Sequence, residues 1–349
     1  MGPPDFNVAC VGAGYFAQLH HAAWQAAHGA RLVAVADSNP DAPIPPDVDR
    51  HASLDSLLRS RTVDILDIAT PPDTHAALIE MALAHGVRRI ICQKPFCGGP
   101  VAARQVTDLA VTAGADLIVH ENFRFQPWYR VVKDIIASGR LGRIFQFHFA
   151  LRPGDGRGPE AYLDRQPYFQ TMERFLVHET AVHFLDLFTF LLGPPDHVYA
   201  DLRRLNQHIA GEDAGLIICG YADGRRAVFD GNRLADHAAD NLRLTMGEAH
   251  LEAEYGCIRL DGHGRLQQRD TGTADWYDIL PPASDSRFGG GCVEALCQHA
   301  VTAWRDGTRP ENSAAEYLAV MALVEAVYDS AATGQQVSPD TGSADWREG

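Results

Sequence analysis

Two short stretches of this sequence carry side chains that could move protons. Gln93-Lys94-Pro95 closes an apolar run, and Val177-His178-Glu179-Thr180-Ala181-Val182-His183-Phe184-Leu185-Asp186 lies in a long helical pattern. Burial lowers the cost of taking a proton from an ammonium, so Lys94 at a strand end suits proton transfer or the polarisation of an oxygen. At about 100° per residue, Glu179, His183 and Asp186 fall within roughly 60° of one helix face. Carboxylates four before and three after His183 would orient its ring and raise its basicity. His178 and His183 are about 140° apart, so HExxxH lacks the one-face geometry of HExxH zinc helices, and no metal is expected. A strand-capping lysine and a satisfied core histidine are the plain alternatives.

Such groups need a reaction partner, and the stretch Phe6–Asp37 supplies one. An apolar run, Val8 to Val11, enters Gly12-Ala13-Gly14-Tyr15-Phe16-Ala17; an Ala-rich helical segment and a second apolar run, Leu32 to Ala36, follow and stop at Asp37. Strand, tight turn, helix, strand and a terminal acid are the order of a dinucleotide-binding unit. Gly12 permits the turn, Gly14 lets a pyrophosphate reach the main chain, and the helix start offers N–H groups and a positive dipole end. Asp37 is placed to accept both adenosine ribose hydroxyls. Neither Ser38 nor Asn39 is an arginine for a 2′-phosphate, so NAD is favoured over NADP.

The elements that position these groups alternate. Strands are predicted at Thr62–Ala69, Arg89–Gln93 and Asp116–His120, with helices at 54–59, 76–85 and 101–113 and a Pro/Asp-rich loop over 39–49. Alternation at this spacing implies a doubly wound parallel sheet, whose ligands sit at the carboxyl ends of its strands. The strand-end segments GAGYFA, Thr70-Pro71-Pro72-Asp73-Thr74-His75, Gln93-Lys94-Pro95 and His120-Glu121-Asn122-Phe123-Arg124-Phe125 are therefore expected on one rim. Cofactor candidates on it are Gly12, Gly14, Tyr15, Phe16, Asp37, Ser38, Thr70, Pro71, His75, Gln93, Lys94 and Asn122.

Past residue 125 the pattern changes. A helix at 129–138 and a strand at 143–150 lead to a Gly/Pro-rich loop, and a strong helix is predicted over Arg174–Leu192. β-like runs follow at 198–205, 214–221, 226–232, 241–247, 249–255 and 257–261, then amphipathic helices at 294–304 and 314–332. The reading is a Rossmann domain over 1–125 and an α+β domain over 126–335 with a large, mostly antiparallel, open-faced sheet. Its late helices are expected to pack back on the first domain, and 336–349 to form a loose tail. Substrate candidates are Lys94, Asn122, Arg124, Arg152, Tyr168, His178 and His183, with Asp155, Asp164, Arg165, Asn232, Arg233, Asp236 and His237 as further polar supply.

The set GAGYFA, Asp37, ATPPDTH, QKP, HENFRF and HETAVHFLD, in this order, resembles the Gfo/Idh/MocA family of NAD(P)-dependent sugar and polyol oxidoreductases. The resemblance spans Phe6 to about Ala332. It implies hydride transfer between a sugar carbinol carbon and nicotinamide C4, with Lys94, His183 and Glu179 as the catalytic set. The family's EKP maps to Gln93-Lys94-Pro95, and its Asp-x-x-x-His to Glu179 and His183. Gln93 thus lacks the usual charge and Glu179 is one methylene longer. Within the family, ICQKP, HEN-x-R, QP-[YF] and Gly211-Glu212-Asp213 are similar to D-apiose-type aldose dehydrogenases. Lys94 is left as a second choice for proton acceptor. A non-catalytic NAD-binding regulator, and a lyase or hydrolase using bound NAD transiently, are the competing functions.

Composition bounds the partners. The 349 residues hold 30 basic and 45 acidic side chains, a net charge of −15, which argues against nucleic acid and anionic membrane. No apolar run approaches the ~20 residues of a membrane span, and MGPPDFNVAC has no basic n-region or apolar h-region of a leader. Seven cysteines without a CxxC pair suggest free thiols in the cytoplasm. A homodimer or homotetramer through the second sheet is expected.

Overall fold

The computed structural model describes residues 6–284 and 287–340, which form two compact units. Met1–Asp5, where a leader would begin, and residues 341–349 of the expected tail lie outside the described residues.

The first unit takes Met1–Asn122 and Val293–Leu318. Its elements run β1 (Phe6–Val11), α1 (Ala17–Ala26), β2 (Ala30–Ala36), β3 (Asp49–His51), α2 (Leu54–Ser60), β4 (Ile65–Ile68), α3 (Pro72–Ala84), β5 (Arg89–Gln93), α4 (Pro100–Thr112) and β6 (Asp116–His120). All pairings are parallel, in the order β3-β2-β1-β4-β5-β6, the Rossmann order with its reversal beside β1. The strands read as continuous apolar runs because helices cover both faces: Val8, Cys10, Leu66, Ile68, Ile90 and Cys92 are wholly buried. Proline opens α3 and α4, where the missing N–H costs nothing. Strand β3 falls at the end of the expected loop; three polar residues pairing with Ala34–Ala36 carry no periodic signal.

The second unit takes Phe123–Cys292 and Ala319–Gly349. It holds α5 (Pro127–Ala137), β7 (Ile144–Leu151), a π-helical segment (Leu176–Ala181), α6 (Val182–Leu192), β8 (His197–Arg203), β9 (Ala214–Gly220), β10 (Arg226–Asn232), β11 (Gly247–Ala253), β12 (Gly256–Leu260), β13 (Leu266–Asp270) and β14 (Tyr277–Leu280). The eight strands are ordered β14-β13-β12-β11-β7-β10-β9-β8, with only β7 and β10 parallel. Phe184 and Phe188 of α6 pack on Phe147, Phe149 and Phe229, so α6 covers one face. On the other face the register sets Tyr199, Ile218, Val228, His148, His250 and Arg259 side by side across β8, β9, β10, β7, β11 and β12. Helices α7 (Cys292–Arg305) and α8 (Ala314–Thr333) complete the chain, and the division between units falls within α8.

Three expectations change. The predicted strand 241–247 is a turn: Asn241 Oδ1 accepts Arg243 N at 3.0 Å, Leu244 N bonds Asn241 O, and Met246 has φ +61°. Its apolar–polar alternation imitated a strand, and β13 and β14 take the sheet positions instead. The long helix does not start at Arg174: π-helix runs over Leu176–Ala181 and α-helix from Val182. Lastly, the start of the tail is fastened, Val337 exchanging backbone hydrogen bonds of 2.8 and 2.9 Å with Val198. Among the described residues no helix is long and apolar enough to cross a membrane.

Candidate functional site

Candidate groups occur in both units. In the first, Gly12 has φ +103°, and a Cβ there would sit 2.3 Å from the Ala69 carbonyl oxygen. Only glycine lets β1 turn this close to the end of β4. A Cβ at Gly14 would meet nothing within 4 Å, so the space over the start of α1 is open. Helix α1 has no acidic residue in its first turn and no side-chain cap, which leaves its leading N–H groups for an anion. Asp37 accepts Ala13 N at 2.7 Å and Asn39 N at 2.8 Å, so its carboxylate ties the glycine turn to the end of β2 and keeps acceptor capacity for ribose hydroxyls. Tyr15 is exposed at 45%. Open space at Gly14, a bare helix start and a fixed carboxylate fit NAD.

On the neighbouring strand ends, Thr70 Oγ1 shares a 2.7 Å hydrogen bond with Thr74, whose hydroxyl also donates to Pro71 O. His75 is wholly buried. Its Nδ1 receives Cys97 N at 3.4 Å, so Nε2–H donates to Thr70 O at 2.8 Å. Desolvation lowers its pKa, which keeps this neutral arrangement. His75 therefore ties the Thr70-Pro71 turn to the segment after Lys94. Lys94 is 9% exposed, and its backbone N–H donates to Gln93 Oε1 at 2.6 Å. Asn122 is 1% exposed, and its Nδ2 has no protein partner among the described residues. A buried amide nitrogen left open marks a position where a ligand can complete the bonding.

In the second unit, His183 is 8% exposed and stacked on Phe123, the rings 4.0 Å apart and inclined by 5°. The stack fixes the plane in which both ring nitrogens point. His178 and Glu179 are half-buried in the π segment. The assumed 100° per residue holds only from Val182, because a π turn is wider and rotates His178 and Glu179 relative to His183. Tyr168 is exposed; desolvation of its hydroxyl first, and the Glu179 carboxylate next, raise its pKa.

Several polar candidates have protein partners. Arg124 makes a two-pronged pair with the wholly buried Asp186. Arg152 bonds Asp230 and the carbonyls of Leu151 and Asp230. Asp155 bonds buried Arg233, which also holds Tyr162 and Thr180.

Glu212, which the sequence offers only within Gly211-Glu212-Asp213, bonds the start of the π segment. Its Oε1 accepts Phe175 N and Val177 N, each at 3.1 Å, and the Tyr328 hydroxyl at 2.7 Å. It thereby caps the π segment. Before it, a Cβ at Gly211 would strike Met172 O at 2.5 Å; after it, Asp213 accepts Leu205 N and Asn206 N. Sequence reasoning also missed His20, Trp24 and Asp67, which meet behind Lys94. An aspartate inside the apolar run of β4 was the available signal.

Comparison with known proteins agrees with this geometry. Residues 6–121 match the oxidoreductase family, NAD-binding Rossmann fold, and 129–252 match the GFO/IDH/MocA C-terminal domain. D-apiose dehydrogenase of Paraburkholderia graminis is 31% identical over 343 residues, 95% of this chain and 89% of the relative. D-apiose dehydrogenase of Rhizobium rhizogenes is 31% identical over 347 residues, 97% and 98% of the two chains. Among solved structures, an oxidoreductase from Agrobacterium radiobacter in complex with NAD+, L-tartaric acid and magnesium superposes with a TM-score of 0.85 at 30% identity, covering 96% of this chain and 98% of that one. The chain belongs to the Gfo/Idh/MocA family of NAD-binding oxidoreductases.

Proposed function

We propose that this protein is an NAD-dependent dehydrogenase acting on the CH–OH group of a sugar or polyol. The observation that carries the reading is Lys94, buried at the carboxyl end of β5 in an NAD-binding sheet, its backbone fixed by Gln93. Bound NAD supplies the hydride acceptor at nicotinamide C4. Lys94 donates a hydrogen bond to the substrate oxygen and stabilises charge as it develops there. His183, held in plane by Phe123, takes the hydroxyl proton, and Glu179 orients it.

Kinship favours an aldose of the D-apiose kind as substrate; the tartrate held by the Agrobacterium protein adds hydroxy acids to the panel. The test is NADH formation from aldoses, polyols and tartrate by the wild type, Lys94→Ala and His183→Ala. Turnover that both substitutions abolish supports the reading. Tight NAD binding without turnover on any compound overturns it, in favour of a regulator or an enzyme that retains its cofactor.

Copies of the chain pair through the open sheet face, where Tyr199, Ile218 and Val228 form an apolar row. Light scattering should show an assembly that Val228→Arg reduces to monomers. The reaction takes place in the cytoplasm, a reducing compartment that suits seven free cysteines.

A further inference from the structure

Behind Lys94 lies a cluster that binding and proton transfer at the strand ends do not require. Asp67 is wholly buried in β4, and a buried carboxylate is costly unless it is hydrogen-bonded. Its Oδ2 accepts Trp24 Nε1 at 2.6 Å and faces His20 Nδ1 at 2.8 Å. The other nitrogen of that ring, Nε2, faces Gln93 Nε2 at 2.9 Å. Gln93 Oε1 accepts the backbone N–H of Lys94. The chain of contacts thus runs from a buried carboxylate to the main chain of the proposed catalytic lysine.

Proton positions follow from the one donor without freedom. A backbone N–H only donates, so the oxygen of the Gln93 amide must face Lys94. The NH2 of that amide then faces His20 Nε2, which must be a bare lone pair. The ring proton is left on Nδ1, pointing at Asp67. A doubly protonated His20 would set a second N–H against the amide NH2. Turning the amide would move the clash to Lys94, and either way a buried donor loses its partner.

We infer that Asp67, His20 and Gln93 form a buried relay that holds His20 neutral with its proton on Nδ1 and fixes the backbone of Lys94, making all three positioning residues for the reaction. This rests on the reading of Lys94 given above. The charge arithmetic sharpens it. With Gln93 the relay carries one negative charge, on Asp67. A glutamate at 93 would present an acceptor to His20 Nε2, and His20 would take up a second proton to serve two carboxylates. The net charge would remain one negative, but a carboxylate would now adjoin Lys94.

The surroundings suit such a relay. His20 is flanked by the His120 ring of β6 at 4.0 Å and by the edge of Phe16 at 5.6 Å, with His21 beside it on α1. Around Asp67 stand Cys10 of β1, Cys92 of β5 and Cys297 of α7; burial first, with Asp67 among the nearby charges, raises these thiols well above their ordinary value. They stay protonated and do not compete as charges. Burial acts to raise the pKa of the Asp67 carboxyl, and the hydrogen bonds that it accepts from His20 and Trp24 act to lower it.

The test is nitrogen NMR of histidine-labelled protein across the pH range where imidazoles titrate. The His20 signal is assigned by its loss in His20→Gln, or by its shift in Trp24→Phe should that variant not fold. In the wild type it should show a protonated Nδ1 and a bare Nε2 throughout. In Gln93→Glu both nitrogens should carry protons over the same range. In the active enzyme, Gln93→Glu should displace one limb of the pH–kcat/KM profile to higher pH, read as about a tenfold change at fixed pH on that limb. A wild-type His20 that titrates ordinarily, a neutral His20 in Gln93→Glu, or an unmoved limb overturns the relay. The expected nitrogen signals in a protein that oxidises no sugar would uphold the relay and sink the dehydrogenase reading instead.

Discussion

The strand ends of the first unit and the π segment of the second solve the same problem by different means. Lys94 is placed by a sheet: β5 delivers it, and side-chain hydrogen bonds from Gln93 back to Asp67 hold the spot. His183 is placed by an interrupted helix: the π segment precedes it, Glu212 caps that segment, and Phe123 fixes the ring plane. The first arrangement draws on β4, β5 and helix α1, with His20 standing 47 residues from Asp67 and 73 from Gln93; the second draws on a carboxylate 35 residues beyond Val177. A parallel sheet defines its own rim, whereas a π turn needs an outside partner for its leading N–H groups.

This contrast can be broken at either end. Lys94→Ala should reduce kcat by roughly a thousandfold, in the range for loss of a proton-handling group, while calorimetry finds NAD affinity nearly unchanged. A loss of NAD binding instead would make Lys94 a cofactor residue. Asp37→Ala should weaken NAD by roughly ten- to a hundredfold, since the ribose acceptor and the tie to Ala13 N go together. Glu212→Ala should cost about 1–3 kcal/mol in denaturant unfolding, because the N–H groups of Phe175 and Val177 lose their acceptor. It should also lower kcat, by moving Glu179 relative to His183, and unchanged kcat would show that the cap serves stability alone.

The smallest expected effect is on pH. Desolvation lowers the pKa of His21 and His75 in the first unit and His148 in the second. Each binds its proton more weakly folded than unfolded, so its contribution is intact above the ordinary value of about 6.5 and is lost as pH falls below it. The lowered Asp67 acts in the same direction at more acid pH. Tm should therefore fall on acidification from neutrality. His75→Gln should flatten that fall slightly, and a steeper fall in the variant would reverse the assignment.

Legibility in the sequence follows the same division. GAGYFA and Asp37 were readable because backbone geometry at Gly12 and open space at Gly14 admit few residue types. The alternation of apolar runs gave the parallel sheet for the same local reason. The segment 241–247 misled because its alternation matched a strand, while Asn241 and Met246 held turn conformations that only a backbone reveals. The π segment was unreadable because its cap lies on another part of the chain. His20 and Trp24 sat unnoticed on an Ala-rich helix, since their meaning comes from Asp67, 47 and 43 residues away. Arg124, Arg152 and Asp155 are legible as polar side chains, but their partners Asp186, Asp230 and Arg233 are not, because these lie 62, 78 and 78 residues away.

The cysteines have a practical consequence. Six of the seven are buried, while Cys257 is partly exposed, between Gly256 and Ile258, whose side of β12 faces the core. It shares the open sheet face with Arg259. A thiol-directed dye should therefore modify the native chain at this one position, without any engineered handle. Such a probe would sit on the surface proposed to join copies, so its fluorescence would follow their association during dilution.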